Sequence, residues 1–304
     1  MVSIPYSKPA NIYKEIPTLK VLAQEYMKSS WYKGLTKRVK DDYRKYIEIL
    51  VSSPNANTDI DKISRRLART FYEAVLEQSN THDAAKFVGV WRRLYNFAID
   101  QEYVSENPWN RMGIKKPGPR SVVWTSEQVK NVIDKALEMG YSDLARLVCL
   151  CYDSAQRPGD VYKLTRNNVK KDSSGYYLDF KQSKTGKHVQ PTISPFTVQL
   201  LGINEEWFTW DLYLVSSNNL EPCERTISEK FRNVKKVLGY GDIHIRDLRR
   251  TAINEMSDAS DDAIMSASGH VNRNQLNTYS LRSRDKARTA QNARKTTWLG
   301  GTNE

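Results

Sequence analysis

Residues 105–124, SENPWNRMGIKKPGPRSVVW, gather three prolines, two glycines and four basic residues between two long stretches of helical periodicity. Proline removes a backbone donor and bars its predecessor from the helical region, so no single helix or strand can run through this segment. The segment reads as an interdomain linker, with a single domain the less favoured alternative. The length of 304 residues with 39% hydrophobic content suits two ordinary domains.

Before that break the apolar residues recur at helical spacing. Leu19, Leu22, Ala23 and Tyr26 form one stripe, and Tyr43, Tyr46, Ile47 and Leu50 a second. Ile60, Ile63, Leu67, Phe71 and Val75 form a third, and Phe87, Val90, Trp91, Leu94 and Ala98 a fourth, with Asn57 or Thr58 and Thr81 as candidate N-caps. This predicts a small helical bundle over residues 18–104. The runs KGLTKRVK (33–40) and KISRRLAR (62–69) make parts of its surface basic, as a solvated face or one turned toward nucleic acid.

After the break helices resume. Thr125 or Ser126 can cap a helix whose apolar face is Val129, Val132, Ile133 and Leu137. Between 175 and 193 the pattern changes: YYLDF and HVQPTI, separated by KQSKTGK, have the composition of a β-hairpin, and LYLV (212–215) could form another strand. The fold class expected is mainly α with a small β-sheet, a helical domain followed by an α+β one.

Lys and Arg number 47 against 35 Asp and Glu, a formal charge of +12, which points to a partner carrying phosphates or another anionic surface. No run approaches the 18 apolar residues of a spanning helix, and the first residues lack the apolar core of a signal peptide, so a membrane partner is not expected and a cytoplasmic location is. Cys149, Cys151 and Cys223 form no CxxC pair and suggest neither a disulfide framework nor a zinc site.

Four pieces of the second half could carry chemistry. They are SAQRPGD with Arg157 and Asp160, the hairpin turn QSKTGK with Lys184, IRDLRRT with Arg246, Asp247, Arg249 and Arg250, and GHVNRNQLNTY, which sets His270 nine positions before Tyr279. Singly each has a plain reading: a turn and cap, a solvated lysine, a charged helix start, a glycine helix end, a packed tyrosine. In this order they resemble the catalytic domain of the tyrosine recombinases, the phage integrase family. The resemblance covers roughly residues 125–300 by motif; the helical part matches the family's core-binding domain in length and helix content only.

The resemblance implies a reaction, and the residue types fit it. A phenol with a pKa of about 10 is a poor nucleophile at neutral pH, so attack by Tyr279 on a phosphodiester needs the developing charge stabilised around it. Arg157 and Arg249 can present forked donors to the non-bridging oxygens, with His270 as a third donor. Lys184 on its hairpin would protonate the leaving 5′ oxygen, leaving a 3′-phosphotyrosine on Tyr279. Asp160 would orient Arg157 or cap its helix. No cofactor or metal is called for. One departure stands out: the family's usual histidine, three residues before the second arginine, is Arg246 here, and His244 is out of register. An arginine can hold a phosphate oxygen but cannot shuttle protons near neutral pH.

The domains implied are an N-terminal arm (1–17), a core-type DNA-binding domain (18–104), the linker (105–124), a catalytic domain (125–281) and a basic tail (282–304) that could pack on a neighbouring protomer. The partners implied are double-stranded DNA, further copies of the chain in a tetrameric synapse, and host or phage accessory DNA-bending proteins. The setting would be the bacterial cytoplasm or nucleoid, or an infected cell. A type IB topoisomerase shares the active-site chemistry, and a non-catalytic DNA-binding protein on a recombinase scaffold is the alternative from another class.

Overall fold

Trp109, from the middle of the proline-rich segment, is fully buried at the centre of an aromatic cluster. Its ring stacks on Phe71 and Trp91 and meets Phe87 edge-on. Arg92 donates to its carbonyl through Nε (3.2 Å) and Nη2 (3.1 Å), and Asn107 Oδ1 accepts from its amide (3.0 Å). Met112 lies in the same core, whereas Arg120 and Trp124 bond to residues much later in the chain. The chain divides into two compact units, Met1–Gly118 and Pro119–Glu304, and the division falls inside that segment. The structure, a computed structural model, describes residues 15–115, 118, 120–204, 212–216, 220–256 and 258–270. Residues 1–14 of the proposed arm, the C-terminal tail and Tyr279 lie outside them.

The first unit is helical: α1 (Leu19–Lys28), α2 (Ser30–Lys33), α3 (Lys37–Val51), α4 (Arg65–Gln78) and α5 (Thr81–Asp100). The second adds α6 (Ser126–Glu138), α7 (Ser142–Asp153), α8 (Pro158–Val161), α9 (Pro195–Leu201), α10 (Glu224–Leu238), α11 (Asp247–Glu255) and α12 (Asp261–Ser268), with strands β1 (Val169–Asp172), β2 (Gly175–Leu178), β3 (Phe180–Lys181) and β4 (His188–Val189). The expected class, mainly α with a little β, is the one observed.

The stripes of the first unit are its core, with corrections at their ends. Ile60 and Ile63 are buried but precede α4, around a 3-10 turn over Ile60–Lys62; Ser64, not Asn57 or Thr58, caps α4 by accepting from the Leu67 amide. Asn80 rather than Thr81 caps α5, accepting from His82 and Asp83. In the second unit Thr125 and Gln128 form a reciprocal capping box at α6. Leu137 is 42% exposed, and Ala136 takes the inward place. At 100° per residue position 137 lies about 80° around the helix from Val129, whereas 136 lies within about 20° of it.

Helix α7 is buried nearly all round and forms the spine of the second core. Cys149 and Cys151 are part of that burial, which pushes the Cys149 thiol up to about 11. The β segment is two antiparallel pairs, β1 with β2 and β3 with β4. The expected hairpin exists at Phe180–Val189 and continues in bonds between Tyr176–Leu178 and residues 191–193, while Tyr176–Leu178 also pair with β1, a strand whose sequence VKKD buries only Val169 and carries no alternation to reveal it. LYLV does not form a full strand: Tyr213 makes a single bridge to Thr165, flanked by bonds from Arg166 N to Leu212 O and from Leu214 N to Leu164 O. Among the described residues no helix is long and apolar enough to cross a membrane.

Candidate active site

Helix α7 ends at Asp153, and the chain reverses through Ser154, Ala155 and Gln156, all buried. Ala155 has φ +55°, in the left-handed region that costs any residue bearing a Cβ, and it is fully buried against Ala252, Ile253 and Ile264, which leaves little room for a longer side chain. Only a very small residue fits there, which is the physical content of SAQR. Arg157 follows as the residue before α8, half-buried, its Nη1 3.5 Å from Gln182 Oε1 and 3.8 Å from Asp160 Oδ2. Asp160 is 4% exposed, and its Oδ1 accepts from the amide of Ser183, the neighbour of Lys184.

The second arginine arrives from α11. Arg249 is 3% exposed and donates through Nη1 to the carbonyl of left-handed Ala155 (3.0 Å). Its Nη2 faces the His270 ring, 3.0 Å from Nε2 and 3.4 Å from Nδ1. The start of α11 is pinned from upstream. Arg120 Nε bonds both oxygens of Asp247 (2.8 and 2.9 Å), Asp247 Oδ2 accepts from the His244 amide, and Thr251 Oγ1 accepts from Trp124 N.

The third segment is the end of α12. Gly269 caps it with φ +71°, and His270 follows, 1% exposed. Ser268 Oγ donates to Ile264 O (2.6 Å), so its 2.7 Å contact with His270 Nδ1 is one in which the ring donates and the hydroxyl accepts. That leaves Nε2 bare toward Arg249. Burial, then the charges of Arg249 and Arg157, depress the imidazole to about 4.

The structure thus brings Arg157, Arg249 and His270 to one place with Asp160 behind them. Lys184 sits exposed at the tip of the β3–β4 hairpin, whose base joins the cluster through Gln182. Arg246 is exposed, the residue before α11, and His244 is half-buried 3.3 Å from Asp242. The sequence reading assigned nothing to Gln156, Gln182 or Ser268. Gln156 and Gln182 lie inside the quoted motifs SAQRPGD and QSKTGK, and nothing but tertiary contact distinguishes them. Chemically the cluster is two guanidiniums and a neutral imidazole in a poorly solvated setting, a site able to grip an anion through several converging donors.

Residues 123–285, more than half of the chain, match the model of the phage integrase family. The chain belongs to that family. The family makes it an enzyme of the tyrosine recombinase type. Among solved structures, a lambda integrase dimer bound to a COC' core site superposes with a TM-score of 0.71 at 18% identity, over 86% of this chain and 77% of that one. A lambda integrase tetramer bound to a Holliday junction gives 0.74 at 17% identity, over 88% and 78%. The Tn1549 transposon integrase (residues 82–397) with circular intermediate DNA gives 0.72 at 12% identity, over 90% and 99%. At these identities the likeness is one of fold. No curated protein matches the chain.

The depressed imidazole of this integrase predicts a pH dependence of stability. His270 is held at about 4 when folded against an ordinary 6.5. Between those values the unfolded chain takes a proton that the folded one refuses. The stabilisation is therefore fully present above pH 6.5 and is lost as pH falls toward 4, by up to about 3 kcal/mol. Urea unfolding of the wild type and His270→Gln over pH 7.5 to 4.5 should show their difference changing across that window. A constant difference would mean the ring is not held neutral.

Proposed function

We propose that this integrase is a site-specific DNA recombinase of a phage or other mobile element that cuts and rejoins duplex DNA through a 3′-phosphotyrosine on Tyr279. The observation that carries the reading is the convergence of Arg157, Arg249 and His270, from three separate stretches of chain, on one place. In this reading the two guanidiniums hold the non-bridging oxygens of the scissile phosphate. Tyr279 Oη bonds to phosphorus as its proton passes to neutral His270, whose basicity rises beside the anionic phosphate. The bond from phosphorus to the 5′ oxygen breaks, and Lys184 supplies the proton that oxygen needs. The new linkage keeps the energy of the old one, so a 5′ hydroxyl from another strand can reverse the step.

Asp160 orients Arg157, 3.8 Å away, while exposed Arg246 meets the DNA backbone instead of shuttling protons. The described relatives are bound to DNA as a dimer and, at a Holliday junction, as a tetramer. We extend that to this chain: protomers assemble on duplex DNA as a tetramer, with Tyr279 delivered within a subunit or from its neighbour and with accessory DNA-bending proteins as further partners. A charge of +12 implies phosphate-dominated binding that weakens with salt.

The test is covalent trapping on a nicked duplex drawn from DNA flanking the coding sequence. Wild type should yield a protein–DNA adduct that survives denaturing electrophoresis. Tyr279→Phe should bind the same DNA with the same salt dependence and yield none. An adduct persisting in Tyr279→Phe removes that residue from its role, and plasmid relaxation by a monomer without strand exchange would point to a topoisomerase instead.

A further inference from the structure

Gln182 is the last residue before the hairpin tip, and every hydrogen-bonding position of its amide is used. Nε2 donates to Gln156 Oε1 (2.6 Å) and to the Ser268 carbonyl (2.8 Å). Oε1 accepts from Thr185 Oγ1 (2.7 Å) and faces Arg157 Nη1 at 3.5 Å. An amide has two donor hydrogens and two acceptor lone pairs, so this set is complete and fixes which end is nitrogen. Gln156 continues the chain of bonds, its own Nε2 donating to Ser154 O (3.0 Å) and Ala267 O (2.9 Å). Two neutral side chains therefore tie the reversal after α7 to the end of α12 and to the hairpin.

The hairpin tip itself is built on Gln182. Its amide donates to Lys187 O (2.8 Å) and its carbonyl accepts from Gly186 N (2.9 Å), closing a loop with Lys184 in the middle. The flanking residue Thr185 reaches back to the Gln182 side chain, and Ser183 N is held by Asp160. Lys184 is exposed in this loop, and its neighbours on both sides, Ser183 and Thr185, are tied down.

We infer that Gln182 is a positioning residue for Lys184: its buried amide anchors the tip of the hairpin to the turns that carry Arg157 and His270, so that the general acid meets the leaving oxygen in register with the groups that hold the phosphate. This rests on the reading of the chain as a recombinase. It assigns to a neutral side chain the task of delivering a charged one, and the effect has a chemical signature. If Gln182 acts through Lys184, its loss harms the step in which the 5′ oxygen takes a proton. A substrate whose leaving group needs no proton escapes that harm.

The experiment compares single-turnover adduct formation by the full chain on two duplexes, one with an ordinary scissile phosphate and one with sulfur in the 5′-bridging position. On the second, the bond from phosphorus to sulfur breaks and the thiolate departs without a proton. Gln182→Ala should be slowed roughly 100-fold on the oxygen substrate, the low end of what a positioned proton donor supplies. It should come within a few-fold of wild type on the sulfur substrate, as Lys184→Ala does, with DNA affinity unchanged. Equal losses on both substrates, or none on either, would overturn the inference.

Should Gln182→Ala not fold by circular dichroism, Thr185→Val removes one contact to the amide from a half-exposed site and decides the matter. A loss of about 5-fold on oxygen, restored by sulfur, supports the assignment; no loss, or an unrestored one, overturns it. Failure of the recombinase reading looks different, because then wild type forms no adduct on either duplex.

Discussion

Arg249→Lys should slow covalent cleavage by about 10³-fold while leaving the protein folded, since the position asks for a fork rather than a charge. The guanidinium spans from Ala155 O at 3.0 Å to the His270 ring at 3.0 Å with two different nitrogens. A lysine ammonium is one point on a flexible stem and cannot hold both ends. Choosing the carbonyl abandons the imidazole, and choosing the imidazole leaves a buried carbonyl without its donor, at a cost of about 1–3 kcal/mol. The phosphate would meet one misplaced donor in place of an oriented pair. Single-turnover adduct yield with the nicked duplex measures the loss, and urea unfolding checks that the fold survives. A rate within tenfold of wild type would show that positive charge alone suffices at this position, against the proposed role of Arg249.

Gly269→Ala should destabilise the second unit by about 4 kcal/mol, a large effect for one methyl group. The backbone there has φ +71°, which costs an alanine about 1–2 kcal/mol. The greater part comes from space: a Cβ at this position would lie 2.5 Å from Gln182 Nε2 and 2.7 Å from its Cδ and Oε1. The amide would have to move, and with it go the bonds to Gln156 and Ser268, leaving buried acceptors unsatisfied. The two contributions separate in a double-mutant cycle by denaturant unfolding. In a Gln182→Ala background the same glycine substitution should cost only the backbone part. An equal cost in both backgrounds would show that the amide is not what the glycine makes room for.

How much of this could be read from the chain differs from residue to residue. The bundle's stripes were legible because each helix buries one face and that face repeats near every 3.6 residues. Their ends were not, because Ile60 and Ile63 continue the spacing of α4 through a 3-10 turn that buries them equally well. Strand β1 was invisible since only Val169 of its four residues turns inward. At the site, Arg157, Lys184, Arg249 and His270 stood out because the proposed chemistry restricts residue type at each. Gln156 and Gln182 did not, since an amide is informative only through the atoms that surround it, and their partners lie 26, 86 and 111 residues away along the chain. The smallness of residues 155 and 269 was visible, but its cause, close packing around one and a left-handed turn beneath an incoming amide at the other, belongs to the folded state.

Because two glutamines tie the turn after α7 to the hairpin and to the end of α12, that part of the site's cohesion is uncharged. Basic segments brought close repel one another, and carboxylates would have been the obvious cement. Every such anion would also have cancelled part of the field a phosphodiester is meant to feel. Asp160 and Asp247 are the carboxylates at the site's edges; between them the amides lock these three segments together without diluting that field, and since no amide titrates, acid and salt leave this mortar untouched even while they weaken the hold on DNA.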